Sequence, residues 1–139
     1  MKYKKVFYTW EDLNDDLDKI IFHIKKQDWN IKQICGVPRG GLILAVMLSH
    51  KMNIPVVVHS IRTMDYIPNK DTTLIVDDIS DTGETLKSIK YINLFKSISL
   101  YIKEGTKYKP KFFCRECKDD DWIIYPWENK ESKTEKDNK

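Results

Sequence analysis

The chain has 139 residues, 41% of them apolar and 32% charged. It is long enough to bury a core without disulfide or metal staples, and too rich in apolar residues to be disordered. Its 24 basic and 21 acidic residues leave a net charge of +3, which carries no electrostatic footprint for nucleic acid. The longest apolar run, residues 42–48, is far too short to span a bilayer. The basic start, Met1-Lys2-Tyr3-Lys4-Lys5, is followed too soon by Glu11 and Asp12 for a secretory signal. A reduced cytoplasmic protein is therefore expected.

In chain order, Thr9 is read as a helix N-cap, with Asp12 three residues on as its capping-box partner. Trp10, Leu13, Leu17, Ile20, Ile21 and Ile24 then share one helical face. Residues 31–37 read as a short buried strand. Gly40-Gly41 opens a second helix through Met52, apolar nearly all round and so expected to be buried. A β-branched strand is predicted over 55–61 and another over 72–76, closed by Asp77-Asp78. A helix is predicted over 85–95, with Leu86, Ile89 and Ile92 near one face. A strand over 97–102 and an edge strand over 112–117 follow. This order predicts an α/β protein with a mostly parallel central sheet flanked by helices, in which ligands bind beyond the carboxyl ends of the strands. Residues 1–127 are read as a single domain, and 128–139, which contain no apolar residue, as a charged, disordered tail.

Cys114 and Cys117 have the C-x-x-C spacing, but no second Cys or His pair follows to complete a four-ligand zinc site. Two ordinary thiols on a strand are the better reading.

The chemistry concentrates at two strand ends. Residues 74–86 deliver an apolar strand, two adjacent carboxylates (Asp77, Asp78), a turn with Asp81, and then Thr82-Gly83-Glu84-Thr85 at a helix start. An EF-hand needs oxygen ligands at alternate positions, which Ile79 breaks. A P-loop in 36–41 fails because Leu42 and Ile43 stand where Lys and Ser/Thr are required. What remains is a phosphate cradle: the amides of 82–85 at a helix N-terminus, aided by the hydroxyls of Thr82 and Thr85. Asp77 and Asp78 repel phosphate and suit sugar hydroxyls or hydrated Mg²⁺. Phosphate, diol and metal on one turn describe a phosphorylated ribose. A plain strand end and helix cap would account for any one of these residues, but not for the run. At the second strand end, Pro38-Arg39-Gly40-Gly41 supplies glycines that let amides approach an anion and an Arg with bidentate donors. Taken alone, a tight turn with a surface Arg explains it as well.

The run from Asp77 to Thr85 resembles the PRPP-binding motif of the type I phosphoribosyltransferases. The resemblance implies that family's fold, with Asp77 and Asp78 holding the ribose hydroxyls directly or through Mg²⁺. It implies that Asp81, Thr82, Gly83, Glu84 and Thr85 form the 5′-phosphate loop, the charge of Glu84 pointing away. The segment with Arg39 and Gly40 resembles the family's pyrophosphate loop, which implies a cis peptide at Pro38–Arg39.

Nearer the C-terminus, Trp122 sits at a polar boundary after Asp119-Asp120-Asp121, where a flat ring can stack on a planar ligand. Lys103 ends the strand at 97–102, on the same carboxyl edge. Ile124 and Trp127 are read as core. With the opening Tyr8-Thr9-Trp10-Glu11-Asp12-Leu13, the segment Tyr101-Ile102-Lys103 and the closing Trp-Ile-x-x-Pro-Trp-acid, the resemblance narrows to the bacterial xanthine-guanine phosphoribosyltransferases. It implies that Lys103 bonds the purine O6, Trp122 stacks on the base, the Ile123 backbone takes the exocyclic 2-substituent, and Asp81 manages the N7 proton. The implied catalytic residues are Asp81 and Arg39. The implied reaction partners are PRPP, a 6-oxopurine base, pyrophosphate and a purine nucleotide, with Mg²⁺ as cofactor and a homo-oligomer as the assembly.

One departure stands out. The family carries a long hood loop with a Ser-Tyr pair before the PRPP strand. Here only residues 62–71 make that connection, with Met64-Asp65-Tyr66 as the nearest substitute. Purine salvage with reduced activity is the leading expectation. A non-catalytic binder of PRPP or a purine nucleotide, and a transferase for another base, are the alternatives.

Overall fold

The computed structural model describes residues 3–57 and 69–128. The elements are β1 (Lys4–Phe7), α1 (Trp10–Lys26), β2 (Gln33–Gly36), α2 (Gly40–Met52), β3 (Val56–Val57), β4 (Thr73–Ser80), α3 (Glu84–Lys87), β5 (Lys96–Lys103), β6 (Phe112–Cys117) and β7 (Asp121–Ile124). Five strands form a parallel sheet in the order β3-β2-β4-β5-β6, and β1 pairs with β7 in a separate parallel ladder. The α/β class and the edge position of β6 agree with the prediction. No described helix is long and apolar enough to cross a membrane.

Both faces of the sheet are covered, which is why its central strands read as continuous apolar runs. Strand alternation sends Leu74 and Val76 of β4 to one core with Leu13, Leu17, Leu44 and Leu48. It sends Ile75 to a second core with Leu86, Ile89, Ile92 and Phe95.

α1 begins at Thr9 with a full capping box: the Thr9 hydroxyl accepts from Asp12 N–H, and the Asp12 carboxylate accepts from Thr9 N–H. Thr9 is exposed, so Thr9→Ala removes the cap and little else. It should cost about 1 kcal/mol in urea denaturation; an unchanged midpoint would mean that packing alone sets the start of α1. The buried stripe of α1 is narrower than its spacing suggests. Leu13, Leu17, Ile20 and Ile24 are buried, Ile21 is half-buried, and Trp10 is exposed. Asp16 lies fully buried within that stripe, a position its charge disguises in the sequence. It accepts from Tyr8 O–H at 2.7 Å and Arg115 Nε at 2.8 Å, so its buried charge is paired.

Three predicted elements differ. α2 buries one face, through Gly41, Leu44, Ala45 and Leu48, and leaves Val46 exposed, because only one side meets the sheet. β4 runs past Val76 to Ser80, because β5 is long enough to keep pairing: Asp77 lies opposite Ser99 and Ser80 opposite Ile102. The helix predicted at 85–95 is a single turn, Glu84–Lys87, followed by a 3-10 turn at Ile92–Leu94. Ser88 Oγ donates to Thr85 O at 2.7 Å and Tyr91 takes a left-handed φ of 63°, both of which work against continuing the helix. The apolar spacing at 86, 89 and 92 is satisfied by turns instead. The ladder of β1 and β7 has no sequence signal, since β1 is mostly exposed and shows no alternating buried set. Of the strand predicted at 55–61, Val56–Val57 is described. Residues 58–68, with most of the short hood connection, and the tail from 129 lie outside the described residues.

Candidate functional site

From β2 the chain passes through α2 to β3 on one side, and then returns to β4 on the other side of β2. The carboxyl ends of β2 and β4 therefore lie side by side at the point where strand order reverses, with Gly36 opposite Val76. Loops leaving such a pair diverge and open a crevice. Three glycines let the β2–α2 loop lie against β4. A Cβ on Gly41 would stand 2.5 Å from Val76 O, one on Gly36 would stand 2.7 Å from Gly41 O, and one on Gly40 would run into the Asp78 carboxylate. The peptide Pro38–Arg39 in this loop is cis.

The first cleft, about 210 Å³, has β4 residues from Asp77 to Ser80 as its floor. Val37 and Pro38 wall one side, and Asp81, Thr82, Gly83 and Thr85 the other. Asp77 is 6% exposed. Burial, and then the neighbouring Asp78 charge, pushes its carboxyl well above the usual carboxylate range. Asp77 Oδ1 accepts from Asp78 N–H at 2.8 Å, and Asp78 Oδ1 accepts from Ile79 N–H at 2.9 Å. Neither carboxylate has an ion-pair partner among the described residues. Two adjacent, partly desolvated carboxylates of this kind suit a cation.

The turn at 81–85 is held from beneath by the segment that follows β5. Lys107 N–H donates to Thr82 O at 2.9 Å, and Ser80 Oγ donates to Tyr108 O at 2.7 Å. Gly83 has φ +89°, and a Cβ there would stand 2.5 Å from Tyr108 N. Glu84 turns outward to an ion pair with Lys107 at 2.7 Å and does not line the cleft. Because α3 is only one turn long, the expected helix N-terminus is absent, and the cradle consists of turn amides with the Thr82 and Thr85 hydroxyls.

The second cleft, about 160 Å³, adjoins the first, and Asp78, Ile79 and Asp81 line both. Its other walls include Lys103, Trp122, Ile123 and Tyr125. Lys103 is 6% exposed, and its Nζ lies 3.5 Å from Asp81 Oδ1. Trp122 and Ile123 are set by the β1–β7 ladder, opposite Lys5 and Val6. The edge of Tyr3 packs on the Trp122 ring, centroids 6.0 Å apart. Of the sequence-predicted residues, Asp77, Asp78, Asp81, Thr82, Gly83, Thr85, Lys103, Trp122 and Ile123 thus line two joined clefts. Gly40 packs behind Asp78, and Arg39 is exposed on the adjoining loop.

No family model matches the chain. Among curated proteins, it is 28% identical to the xanthine-guanine phosphoribosyltransferase of Idiomarina loihiensis, covering 90% of this chain and 88% of that protein. It is 26% identical to the protein of the same name from Nitratidesulfovibrio vulgaris, covering 92% and 88%. Among solved structures, a purine phosphoribosyltransferase from Pyrococcus horikoshii is 29% identical with a TM-score of 0.75, covering 94% of this chain and 99% of that one. A Helicobacter pylori xanthine-guanine-hypoxanthine phosphoribosyltransferase is 25% identical with a TM-score of 0.73, covering 90% and 93%. The chain has the fold of the type I phosphoribosyltransferases, and the proteins it resembles are purine phosphoribosyltransferases.

Three residues in or beside the second cleft carry no signal in the sequence. Tyr125 lines the second cleft from the segment after β7, and Tyr3, just before β1, packs behind it on Trp122. Glu128 lines the same cleft, and burial together with the Asp78 charge raises its carboxyl, while Arg39 lowers it. Neither thiol of the C-x-x-C lines a cleft, although Cys117 lies opposite Lys103 on the neighbouring strand. Burial pushes Cys114 up to about 12 and Cys117 up to about 11, which keeps both protonated and poor as nucleophiles.

Proposed function

We propose that this phosphoribosyltransferase moves ribose 5-phosphate from PRPP to N9 of a 6-oxopurine (guanine, xanthine or hypoxanthine), releasing pyrophosphate, in cytoplasmic purine salvage. The observation that carries the reading is the buried Lys103 beside Asp81, where the two clefts meet. A lysine ammonium has three donors and no acceptor. Deep in a cleft it favours a carbonyl at C6 of a purine over an amino group. Trp122 and Ile123 line the same cleft as a stacking ring and a main-chain partner. Asp81 faces both clefts and so lies between base and sugar.

In the reaction the N9 lone pair bonds to C1′ as the C1′–O bond to pyrophosphate breaks, and the proton on N7 passes to Asp81. The turn at 82–85 holds the 5′-phosphate, and Lys103 with Trp122 holds the base, so much of the barrier is lowered by positioning. Arg39 stabilises the leaving pyrophosphate. Asp77 and Asp78 hold Mg²⁺ together with substrate oxygens. The described residues contain no group of three or more metal-ligating side chains, and one or two carboxylates completed by substrate is the usual arrangement for this ion. Bound there, Mg²⁺ supplies charge neutralisation for the diphosphate.

Incubation with PRPP, Mg²⁺ and each of guanine, xanthine, hypoxanthine and adenine tests the proposal. Nucleotide should form with a 6-oxopurine and not with adenine. Tight PRPP binding without turnover would favour the non-catalytic binder, and nucleotide from adenine alone would overturn the base assignment.

The raised Asp77 carboxyl adds a pH signature. The folded chain holds this proton to a higher pH than the unfolded chain, so stability from this group falls as pH rises from the ordinary carboxylate range toward the folded value. Mg²⁺ competes with that proton. It should therefore raise the melting temperature more at pH 8 than at pH 5, and Asp77→Asn should abolish the difference. An equal Mg²⁺ effect at both pH values would remove Asp77 from the cation site.

A further inference from the structure

The peptide joining Asp78 to Ile79 is gripped at both ends. Its N–H, from Ile79, donates to the Asp78 carboxylate at 2.9 Å, and so sets where that carboxylate points. Its carbonyl, on Asp78, accepts from the Tyr125 hydroxyl at 3.1 Å. Rotation of this peptide plane would carry the Asp78 carboxylate with it, and Asp78 lines both clefts.

Tyr125 is well placed to stop that rotation. It is 3% exposed. Its ring stacks on Trp127 at 4.7 Å with 5° between the planes, and packs edge-on with Tyr8 at 5.5 Å and Tyr101 at 6.4 Å. Tyr8 is itself tied through its hydroxyl to Asp16, which the Arg115 guanidinium holds. The ring is therefore fixed from several sides by the scaffold, and the direction of its hydroxyl with it.

We propose that Tyr125 is a positioning residue: its hydroxyl fixes the plane of the Asp78–Ile79 peptide, and through that plane aims the Asp78 carboxylate at the ribose and its cation. The proposal rests on the phosphoribosyl-transfer reading above. Tyr125 holds the sugar end of the site through the backbone and touches the base cleft only with its ring.

The test is Tyr125→Phe, which removes the hydroxyl and keeps the ring, its stack on Trp127 and its wall of the base cleft. The Kd for Mg²⁺-PRPP, measured calorimetrically without base, should rise about five- to tenfold, the worth of one net hydrogen bond. The KM for the base should stay within about twofold of the unsubstituted protein. Tyr8→Phe is the control, because it removes a buried hydroxyl from the same aromatic cluster without touching Asp78. It should lower the melting temperature and leave PRPP affinity unchanged. Tyr125→Phe with unaltered PRPP affinity, or Tyr8→Phe with the same loss of affinity, overturns the positioning role. Absence of PRPP binding by the unsubstituted chain overturns the functional reading and this proposal with it.

Discussion

Asp81→Asn should lower kcat by about a hundredfold or more, the usual contribution of a positioned acid–base group, while PRPP affinity changes by only a few-fold. Asp81 is the one carboxylate that lines both clefts and is also paired with Lys103. Its side chain is 44% exposed, so the fold does not depend on it, and asparagine fills the same space. What asparagine lacks is the capacity to take a proton. A 6-oxopurine that bonds through N9 must shed the proton at N7 as positive charge spreads into the ring, and the amide leaves it no acceptor of sufficient basicity. Steady-state kinetics with guanine and xanthine, together with the Kd for PRPP, would check both points. Wild-type turnover in Asp81→Asn would remove the residue from the chemistry and leave it as a partner of Lys103.

Lys103→Ala should lower kcat/KM for the 6-oxopurine by about tenfold to a hundredfold. That corresponds to about 1.5–3 kcal/mol for a charged donor to a buried acceptor. The KM for PRPP should be nearly unchanged. Lys103 is almost fully buried at the end of β5, and Asp81 is its ion-pair partner. Removing it leaves O6 unpaired in a cleft that water does not readily refill. Discrimination against adenine should fall in parallel, because the donor assigned to C6 is gone. Competition between guanine and adenine for a limited pool of PRPP would measure this directly. A drop in PRPP affinity matching the loss for base would instead assign Lys103 to the phosphate end. Asp81 and Lys103 touch, so the double variant should lose less than the sum of the two single effects.

Local signals served well where chemistry and pattern coincide in a short stretch. The capping box at Thr9, the strand and acid run ending in Asp77-Asp78, and the glycines at 40 and 41 were legible because each depends on neighbours a few residues away. The same reasoning misjudged 85–95. Apolar residues at 86, 89 and 92 satisfy a helical period, but a single helical turn and a 3-10 turn bury the same three side chains. Asp16 was unreadable as a core residue, since its partner Arg115 lies 99 positions away. Tyr125 was equally silent: its role depends on a main-chain carbonyl 47 positions back, and composition and periodicity carry no trace of a tertiary hydrogen bond. Lys103 stands out in the sequence only as a strand-end residue, and Trp122 only as a flat ring at a polar boundary. Their meeting in one cleft required a ladder between the two ends of the chain that no local pattern announces.

That ladder has a consequence for the order in which the protein assembles and loosens. Lys4 lies opposite Asp121, so closing it fixes the ends of nearly the whole chain, whereas the β4–β5 pairing closes a loop of about twenty residues. Closure entropy grows only slowly with length, but the β1–β7 ladder has four residue pairs and a mostly exposed strand on one side. The five-stranded sheet, buried on both faces, has far more to hold it. The turn at 82–85 thus hangs from the most extensively paired part of the molecule, and the wall bearing Trp122 and Ile123 from a ladder of four pairs with an exposed outer strand, where local opening is expected to begin. On the proposed reading, the wall that would stack on the base is joined by the shorter ladder, and the turn that would hold the phosphate by the longer one.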